Sequence, residues 1–431
     1  MNQHQLDELL ENGVIDHATA ERIAAYYRAR QDGTKSNRLL TIFGILGALL
    51  VGLGIMLILA HNWDQLPRAA KTILAFVPLL IGQGLVAFTL LRRPERVGWR
   101  EASGTFLTLA VGASISLVSQ IYNIPGEIES FMLTWVVLSL PLVWLLRSSM
   151  VALLCWLGLT IYALMTGFDH DGWMLLWYWV LILPLFWHYR TLLRETPAGN
   201  FTFLHHWMIP VSIALVLNTG VWGRGEVLLI LVYSGLFGAY YLIGNHPYFR
   251  RCPVWSNGYK IIGWIGTLVG LLVFSFRMPW EAIADKSDEL FLHLFTTPAG
   301  WLALLVNGLA GWLLWRLHQR QLVRPQMQPV AYVFGVLFLL FLVGNLSPVL
   351  GMIICNLLVL GLGLLRIRRG IEEEHLLGLN LGLGIIAILI ICRFFDENLP
   401  FVVRGGLFFV VGIGFFVANY QMLKKRQRHA E

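Results

Sequence analysis

Charged residues are scarce in this sequence. Only 13% of its 431 residues are Asp, Glu, Lys or Arg, whereas 57% are hydrophobic. A soluble domain carries about 25% charged residues, so this composition excludes an ordinary soluble globular protein. The centres of the hydrophobic runs hold no Asp, Glu, Lys or Arg. Transporters driven by protons or sodium commonly keep such a residue there, and its absence disfavours that class.

The sequence also lacks a cysteine framework and the common catalytic motifs. Its four cysteines form no CxxC pair, and each falls in or beside an apolar run. Neither a disulfide framework nor a zinc site is therefore predicted. No phosphate loop, dinucleotide fingerprint, HExxH motif or nucleophile elbow stands in a supporting context. The sequence predicts no cofactor and no metal, assigns no catalytic residue, and gives little reason to expect an enzyme.

Hydrophobic runs of about 18–22 residues, separated by short polar breaks, recur along the chain. A helix of that length crosses the hydrocarbon core, and it satisfies its own backbone there. We therefore predict an all-α, polytopic integral membrane protein with about 14 transmembrane helices. The predicted spans are 38–60, 71–91, 101–121, 131–146, 148–166, 172–188, 204–222, 226–243, 258–276, 299–315, 328–345, 347–365, 375–392 and 401–420.

The polar residues before the first span predict a small cytoplasmic module of two helices. Asn12-Gly13 is typical of a helix end, and Asp16 is a suitable N-cap for a second helix. Two short helices bury little surface alone, so we expect them to pack on each other, on a partner chain or on the membrane face. The predicted segments are 1–37 (cytoplasmic helix pair), 38–146 (first four transmembrane helices), 147–421 (remaining ten) and 422–431 (basic cytoplasmic tail).

The distribution of basic residues predicts the orientation. If the N-terminus is cytoplasmic and the spans alternate, most of the 32 Lys and Arg fall in cytoplasmic loops. The loops on the other side are comparatively acidic, as the positive-inside rule requires. An even number of spans then places both termini in the cytoplasm. The net charge of +7 is explained by this orientation, and no nucleic-acid partner is predicted.

Ionisable and amide side chains collect at the outer ends of the spans, around the first and last outer turns. Each turn places an Asp before a base, Asp64 before Lys71 and Asp396 before Arg404. Such charges anchor helix ends at the interface. Alternatively, they form a shallow site for an anionic lipid headgroup or a glycan carrier. The candidate binding residues are His61, Asn62, Asp64, Arg68, Lys71, Gln120, Tyr122, Arg393, Asp396 and Arg404.

Small and polar residues inside the spans predict helix contacts. Gly266 and Gly270 are spaced for close packing of two helices. A stripe of five small or polar residues along the third span predicts either a packing surface or a cavity wall, and three central amides are expected to link helices. The stripe is Thr105, Thr108, Gly112, Ser116 and Ser119, and the amides are Gln83, Asn307 and Asn356.

The first third of the chain carries a set of recognisable motifs. They are the leading helix pair, Ala60-His61-Asn62-Trp63, and Gln120-Ile121-Tyr122 followed by Gly126. In these motifs the chain resembles a family of bacterial polytopic membrane proteins known only as a domain of unknown function. The resemblance covers about residues 5–150 and implies a multi-pass protein of the bacterial cytoplasmic (inner) membrane. It implies no activity.

Three functions are compatible with this pattern. The leading hypothesis is transport or flipping of a lipid or another amphiphile, because many helices with little mass outside the membrane suit passage. The second is a membrane-embedded transferase that acts on a lipid-linked substrate at the outer face, with Asp64 or Asp396 as base, although the longest outer loop, 277–298, is short for binding a donor. The third is an accessory or sensory subunit. The expected partners are membrane lipids and, through residues 1–37, another protein or a second copy.

Overall fold

The structure is a computed structural model of the chain. The described residues form helices and turns, with no strand among them, so the all-α prediction is confirmed for this part of the chain. The described residues are 15–22, 63–169, 174–219, 226–249, 252–285, 287–320, 329–342, 347–373 and 375–394, with isolated helical residues between 402 and 417.

The helices follow one another with short connections, and two 3₁₀ turns, Trp63–Gln65 and Val254–Ser256, lie between them. We number the helices in chain order. They are α1 Arg68–Arg92, α2 Val97–Tyr122, α3 Ile128–Leu145, α4 Ser149–Asp169, α5 Leu176–Glu195, α6 Asn200–Thr219, α7 Glu226–Gly244, α8 Gly258–Phe274, α9 Met278–Ala284, α10 Ser287–Thr296, α11 Pro298–Gln319, α12 Val330–Leu342, α13 Pro348–Glu372 and α14 Leu376–Phe394.

Each predicted span from the second to the thirteenth coincides with one of these helices. Within the described residues, eight helices are long and apolar enough to cross a membrane, or nine if α8 and α9 form one broken span. The protein is therefore a multi-pass helical membrane protein. The total of about 14 spans stays a prediction, because α5, α7 and α12 are not among these candidate spans, 38–60 lies outside the described residues, and 401–420 is described at isolated positions only.

The segment predicted as the longest outer loop is helical instead. Residues 278–284 and 287–296 form α9 and α10, and α9 is bent by 78° from α8. The bend follows the three residues Ser275–Arg277. Hydropathy did not reveal these helices because they are too short and too mixed in polarity to resemble a span.

The chain divides into two compact units, residues 1–77 and 78–431. In the first unit, residues 17–22 are helical, and the Thr19 amide donates a hydrogen bond to the Asp16 carboxylate at 3.3 Å. This confirms Asp16 as an N-cap. The side-chain hydrogen bond with Thr19 lowers the pKa of Asp16, because it stabilises the ionised carboxylate.

The rest of the predicted helix pair, including Asn12-Gly13, lies outside the described residues. The cytoplasmic placement of this module and the segment boundaries after residues 37, 146 and 421 stay predictions.

The second unit has a large apolar core that extends from α1 to α14, and a small separate cluster around Leu379 and Leu383. Helix α7 lies at its centre and packs against α8, α11 and α12, while α4 packs against α3 and α6. The fully buried Trp156 of α4 meets Phe186 of α5 edge to face, with 5.3 Å between ring centroids. Bulky side chains thus fix the helices against one another by interdigitation, which is the main attraction available between helices in lipid.

A proline and a glycine allow α6 and α8 to approach closely. Pro210 lies inside α6, and because it has no N–H, the His206 carbonyl loses its usual helical donor. The backbone of Gly258, the first residue of α8, occupies this position, and a Cβ atom there would collide with the His206 carbonyl oxygen. The N-terminus of α8 can therefore reach α6 only with glycine at 258.

Candidate functional site

Of the residues predicted around the first outer turn, the structure describes Asp64, Arg68 and Lys71. Asp64 and Arg68 are exposed, and Asp64 makes no ion pair with a described residue. The Lys71 ammonium instead lies over the Trp63 ring, 5.7 Å from its centroid, which is a cation–π contact. In the first unit the turn therefore has the contacts of an interfacial anchor.

The other predicted site residues do not assemble into one described site. Gln120 and Tyr122 are exposed at the C-terminal end of α2. His61, Asn62, Asp396 and Arg404 lie outside the described residues. The meeting of the first and last outer turns therefore stays a prediction.

Arg393 is the predicted residue that the structure places in a polar network. Its guanidinium donates a hydrogen bond to Ser275 Oγ at 3.2 Å and lies over the Phe276 ring, 4.4 Å from the centroid. Asn356 of α13 donates to the Ser275 carbonyl at 2.9 Å. Two helices, α13 and α14, thus hold the residues at which α8 breaks.

Residues of α9 also stabilise this break. The Trp280 indole of α9 donates to the Phe274 carbonyl at 2.7 Å, and Arg277 pairs with Glu281 at 2.7 Å. Trp280 also packs on Gly351 of α13, where a Cβ atom would approach the ring to 2.5 Å. Non-helical backbone at membrane depth needs such partners, and discontinuous helices are typical of transporters. Arg393 thus stabilises a helix break, and the outer binding site predicted around it stays a prediction.

An apolar groove lies between α6, α7, α8 and α12, with a volume of about 560 Å³. A stripe of α8, formed by Ile262, Ile265, Val269 and Val273, lines one wall. Ile265, Val269 and Val273 are each about half exposed (48%, 52% and 49%). The groove is therefore open along one side, where lipid would surround it.

The hydroxyl groups that line this groove are already bonded to the protein backbone. Tyr233 donates to the Ala214 carbonyl at 2.6 Å, Ser234 to the Leu231 carbonyl at 2.9 Å, and Thr267 to the Gly263 carbonyl at 2.8 Å. Their donor protons are not available to a guest. The groove consequently presents an almost wholly hydrocarbon surface, despite three polar residues in its lining.

The predicted glycine pair of α8 also lines the groove, and its two members differ. Gly266 packs against the Phe237 ring, so the expected helix contact is present there, whereas Gly270 has nothing within 4 Å of an added Cβ. The absence of a side chain at 270 leaves part of the groove empty. Position 270 is thus the point at which the groove can be filled without disturbing the packing.

The part of the polar stripe of α2 at Thr108 and Gly112 is a packing surface, whereas Ser116 is exposed. Gly112 lies against Trp135 of α3, whose indole donates to the Thr108 carbonyl at 2.7 Å. Of the central amides, Asn307 links α11 to the Leu231 carbonyl of α7 at 2.8 Å, and Asn356 links α13 to the break. Gln83, by contrast, is exposed.

A buried polar cluster that the sequence analysis did not find lies at the other end of α8. His188, His205 and His206 are buried, and Tyr189 stacks on His205 with 6.0 Å between centroids. His206 Nδ1 lies 3.0 Å from the Ser256 carbonyl, but the Nε2 atoms of His205 and His206 and the Tyr189 hydroxyl are buried without a hydrogen-bond partner among the described residues. The sequence feature that could have indicated this cluster is the presence of three histidines at the facing ends of two consecutive spans.

Glu101 of α2 lies next to this cluster. Its carboxylate accepts hydrogen bonds from the amides of Ser149 and Met150 at 2.9 and 2.8 Å and from Ser148 Oγ at 2.5 Å. Ser149 Oγ in turn lies 3.4 Å from His188 Nε2. The N-terminus of α4 is therefore occupied by a side chain of the protein itself and is not open to an external anion.

Potential metal ligands and thiols are dispersed in the described part of the chain. No group of three His, Cys, Asp or Glu there is placed to hold a metal ion. The four cysteines are not paired, and Cys155 and Cys355 are buried. Between α7 and α8, burial raises the pKa of the Cys252 thiol, which makes the reactive thiolate scarcer.

Residues 7–152 match a family model described as "Predicted membrane protein (DUF2157)". The resemblance seen in the first third of the sequence is therefore confirmed. The match contains α1 to α3 and the whole Glu101 contact with Ser148, Ser149 and Met150. No curated protein and no solved structure matches the chain.

Proposed function

We propose that this protein binds a lipid or another amphiphile within the membrane and moves it, by transport or by flipping. The observation that carries the proposal is the groove between α6, α7, α8 and α12. Its volume of about 560 Å³ falls in the range of about 300–1,000 Å³ that is usual for small-molecule sites. Its lateral opening would admit a chain directly from the bilayer.

A hydrocarbon chain is the guest that the lining favours. The hydroxyl groups of the groove lining have no free proton to donate, and the lining carries no charge. A polar guest would therefore lose its hydration without compensation. Apolar burial alone gives little net free energy here, because the surrounding lipid tails are equally apolar. Shape must therefore supply the selectivity within the groove, and a polar headgroup would stay outside it.

The break between α8 and α9 supports movement of the guest rather than static binding. Helix α8 lines the groove and then ends at the 78° bend that Arg393, Asn356 and Trp280 hold. A change in these contacts would tilt α8 and alter the width of the groove. A small set of polar contacts at one end of a helix can in this way control an apolar site along its length.

We also propose that the protein lies in a bacterial inner membrane with both termini in the cytoplasm. The basic residues support this orientation: Arg366, Arg368 and Arg369 end one span, and the tail after residue 421 is basic. Reporter fusions after Arg96 and Arg320 should then report cytoplasm, and a fusion at Asp285 should report the outside. A cytoplasmic signal at Asp285 would contradict the orientation.

The proposed binding of lipid in the groove is tested by placing a larger side chain there. Replacing Gly270 with Leu places a side chain in the empty part of the groove, and replacing Gly308 with Leu places one on the exposed face of α11, where an added Cβ also meets nothing within 4 Å. The purified proteins are reconstituted in vesicles with a phospholipid that carries a photoreactive group in its acyl chain. Crosslinks are mapped by mass spectrometry, and movement of a fluorescent lipid between leaflets is measured by quenching.

We expect crosslinks on α6, α7, α8 and α12 in the wild type. Gly270→Leu should reduce these crosslinks and the lipid movement by about tenfold, while Gly308→Leu should leave both unchanged. Crosslinks spread evenly over all exposed helices would show that the groove holds no lipid preferentially. Preferential crosslinks without movement between leaflets would retain the binding site but contradict transport and flipping.

A further inference from the structure

A second, smaller cavity lies on the opposite face of α8 from the groove. Trp264 and Leu268 of α8 line it, together with residues of α12, α13 and α14. Trp264 is two positions from the groove residues Ile262 and Gly266, which turns it by about 200° around the helix. The two sites are therefore separate. The volume of the cavity, about 20 Å³, exceeds the about 10–15 Å³ that one water needs, so a single oxygen atom of a ligand can enter.

Two arginines of α13 line this cavity. Arg366 and Arg369 are one turn apart and so share a helix face. Arg366 Nε is buried and has no hydrogen-bond partner among the described residues. A buried charged donor without an acceptor is costly, and the position of this one beside a cavity indicates that an acceptor enters from outside the protein.

Arg368, on the same helix, is an ordinary surface charge. Arg368 has a side chain that is 77% exposed, and it pairs with Glu372 one turn later at 2.8 Å. Its position between Arg366 and Arg369 in sequence turns it away from the cavity. Arg368 therefore provides a matched control, with the same charge on the same turn of helix but outside the cavity.

We propose that one phosphate oxygen of an anionic phospholipid enters this cavity, with Arg366 and Arg369 as the ligands of the phosphate. A guanidinium matches a phosphate with two parallel hydrogen bonds. The other walls are apolar, formed by Leu362, Leu365 and Ile385 among others, and suit the first methylenes of a lipid rather than a hydrated free anion. The arginines lie in the last two turns of α13, and basic pockets between helix ends are typical sites for anionic headgroups.

This site does not depend on the proposed function. A lipid held by Arg366 and Arg369 is a resident ligand that ties α13 to α8, α12 and α14, whereas the guest of the groove is cargo. Either site can be present without the other, and the experiments address different residues.

The test compares full-length wild type with Arg366→Gln, Arg366→Lys and Arg368→Gln, purified in a neutral detergent. The probes are short-chain phosphatidylglycerol, short-chain phosphatidylcholine and inorganic phosphate. Binding is followed by the concentration-dependent rise of the melting temperature and by native mass spectrometry. Melting curves without added lipid show whether each variant is folded, and Arg366→Lys preserves the charge if the glutamine variant does not fold.

We expect phosphatidylglycerol to bind the wild type and Arg368→Gln equally, and to bind Arg366→Gln about tenfold or more weakly. Arg366→Lys should be intermediate, because it keeps the charge and loses the paired hydrogen bonds. Equal losses at Arg366 and Arg368 would show general surface attraction and overturn the site. Equal binding of inorganic phosphate and phosphatidylglycerol would overturn the assignment to a lipid, and equal binding of the two lipids would overturn the role of the anionic headgroup.

Discussion

The carboxylate of Glu101 accepts the backbone N–H of Ser149 at 2.9 Å, across 48 residues of sequence. The first N–H groups of a helix have no partner within it, so here α2 supplies the partner for α4. The contact fixes the start of α4 beside the N-terminal part of α2. A single carboxylate thereby joins three elements, α2, the turn before α4, and α4 itself.

Replacing Glu101 with Gln should lower the free energy of unfolding by about 1–3 kcal/mol, because a neutral amide is a weaker acceptor at a helix N-terminus. Thermal and denaturant unfolding in detergent measures the change. Glu95→Gln is the control, since Glu95 is exposed in the preceding turn, and it should change stability by less than about 0.5 kcal/mol. Equal stability of the Glu101 and Glu95 variants would contradict the role of Glu101 as a cap.

Replacing Arg393 with Gln should loosen the break between α8 and α9, because the contacts with Ser275 and Phe276 are lost together. We expect faster amide hydrogen exchange in residues 275–284 and a stability loss of about 1–3 kcal/mol. Arg316→Gln is a matched control, since Arg316 lies over the Trp312 ring at 4.9 Å but is exposed. Unchanged exchange at 275–284 in the Arg393 variant would mean that the bend is held without the guanidinium.

Replacing Gly258 with Ala should force the N-terminus of α8 away from α6, since the added Cβ would collide with the His206 carbonyl. Overpacking of this kind typically costs about 1–3 kcal/mol. Gly308→Ala, at a position with open space, should be neutral or slightly stabilising. The melting temperatures of the two variants give the comparison, and a Gly258→Ala protein as stable as wild type would show that the helices can separate at little cost.

The helical stretch at 17–22 should lose stability in acid. Because the hydrogen bond with Thr19 lowers the pKa of Asp16 in the folded state, the cap is fully present above the ordinary pKa of the carboxyl, about 3.9. It is lost as the pH falls through the lowered folded-state pKa. Amide exchange of residues 17–22 should therefore show extra opening at low pH, beyond the intrinsic dependence, and Asp16→Asn should abolish that extra pH dependence. An extra opening that persists in Asp16→Asn would assign it to another group.

Hydropathy predicted most helices because length and polarity alone decide whether a segment can cross lipid. The run from 101 to 121, for example, became α2, with Glu101 near its N-terminal end. The same criterion could not find α9 and α10, which are short and mixed in polarity. Asp16 was predicted correctly as a cap because capping depends on residues a few positions apart.

The contacts of Arg393 and of the histidine cluster were harder to predict because they join distant parts of the chain. Arg393 was identified from its position at a helix end, but its partner Ser275 lies 118 residues earlier and no local pattern connects them. The cluster around His205 was missed for the same reason, since a histidine in an apolar run shows its partners only after folding. Asp64, which appeared equally suited to a site, is exposed.

The bonding of the groove hydroxyls has a mechanical consequence. Because Tyr233, Ser234 and Thr267 already donate to carbonyls of the protein, a hydrocarbon chain could slide along the groove without breaking a hydrogen bond at any step. Its energy would vary little with position, and no single depth would trap it. The groove would therefore offer little resistance to movement of the chain. This property suits a path for lipids rather than a storage site.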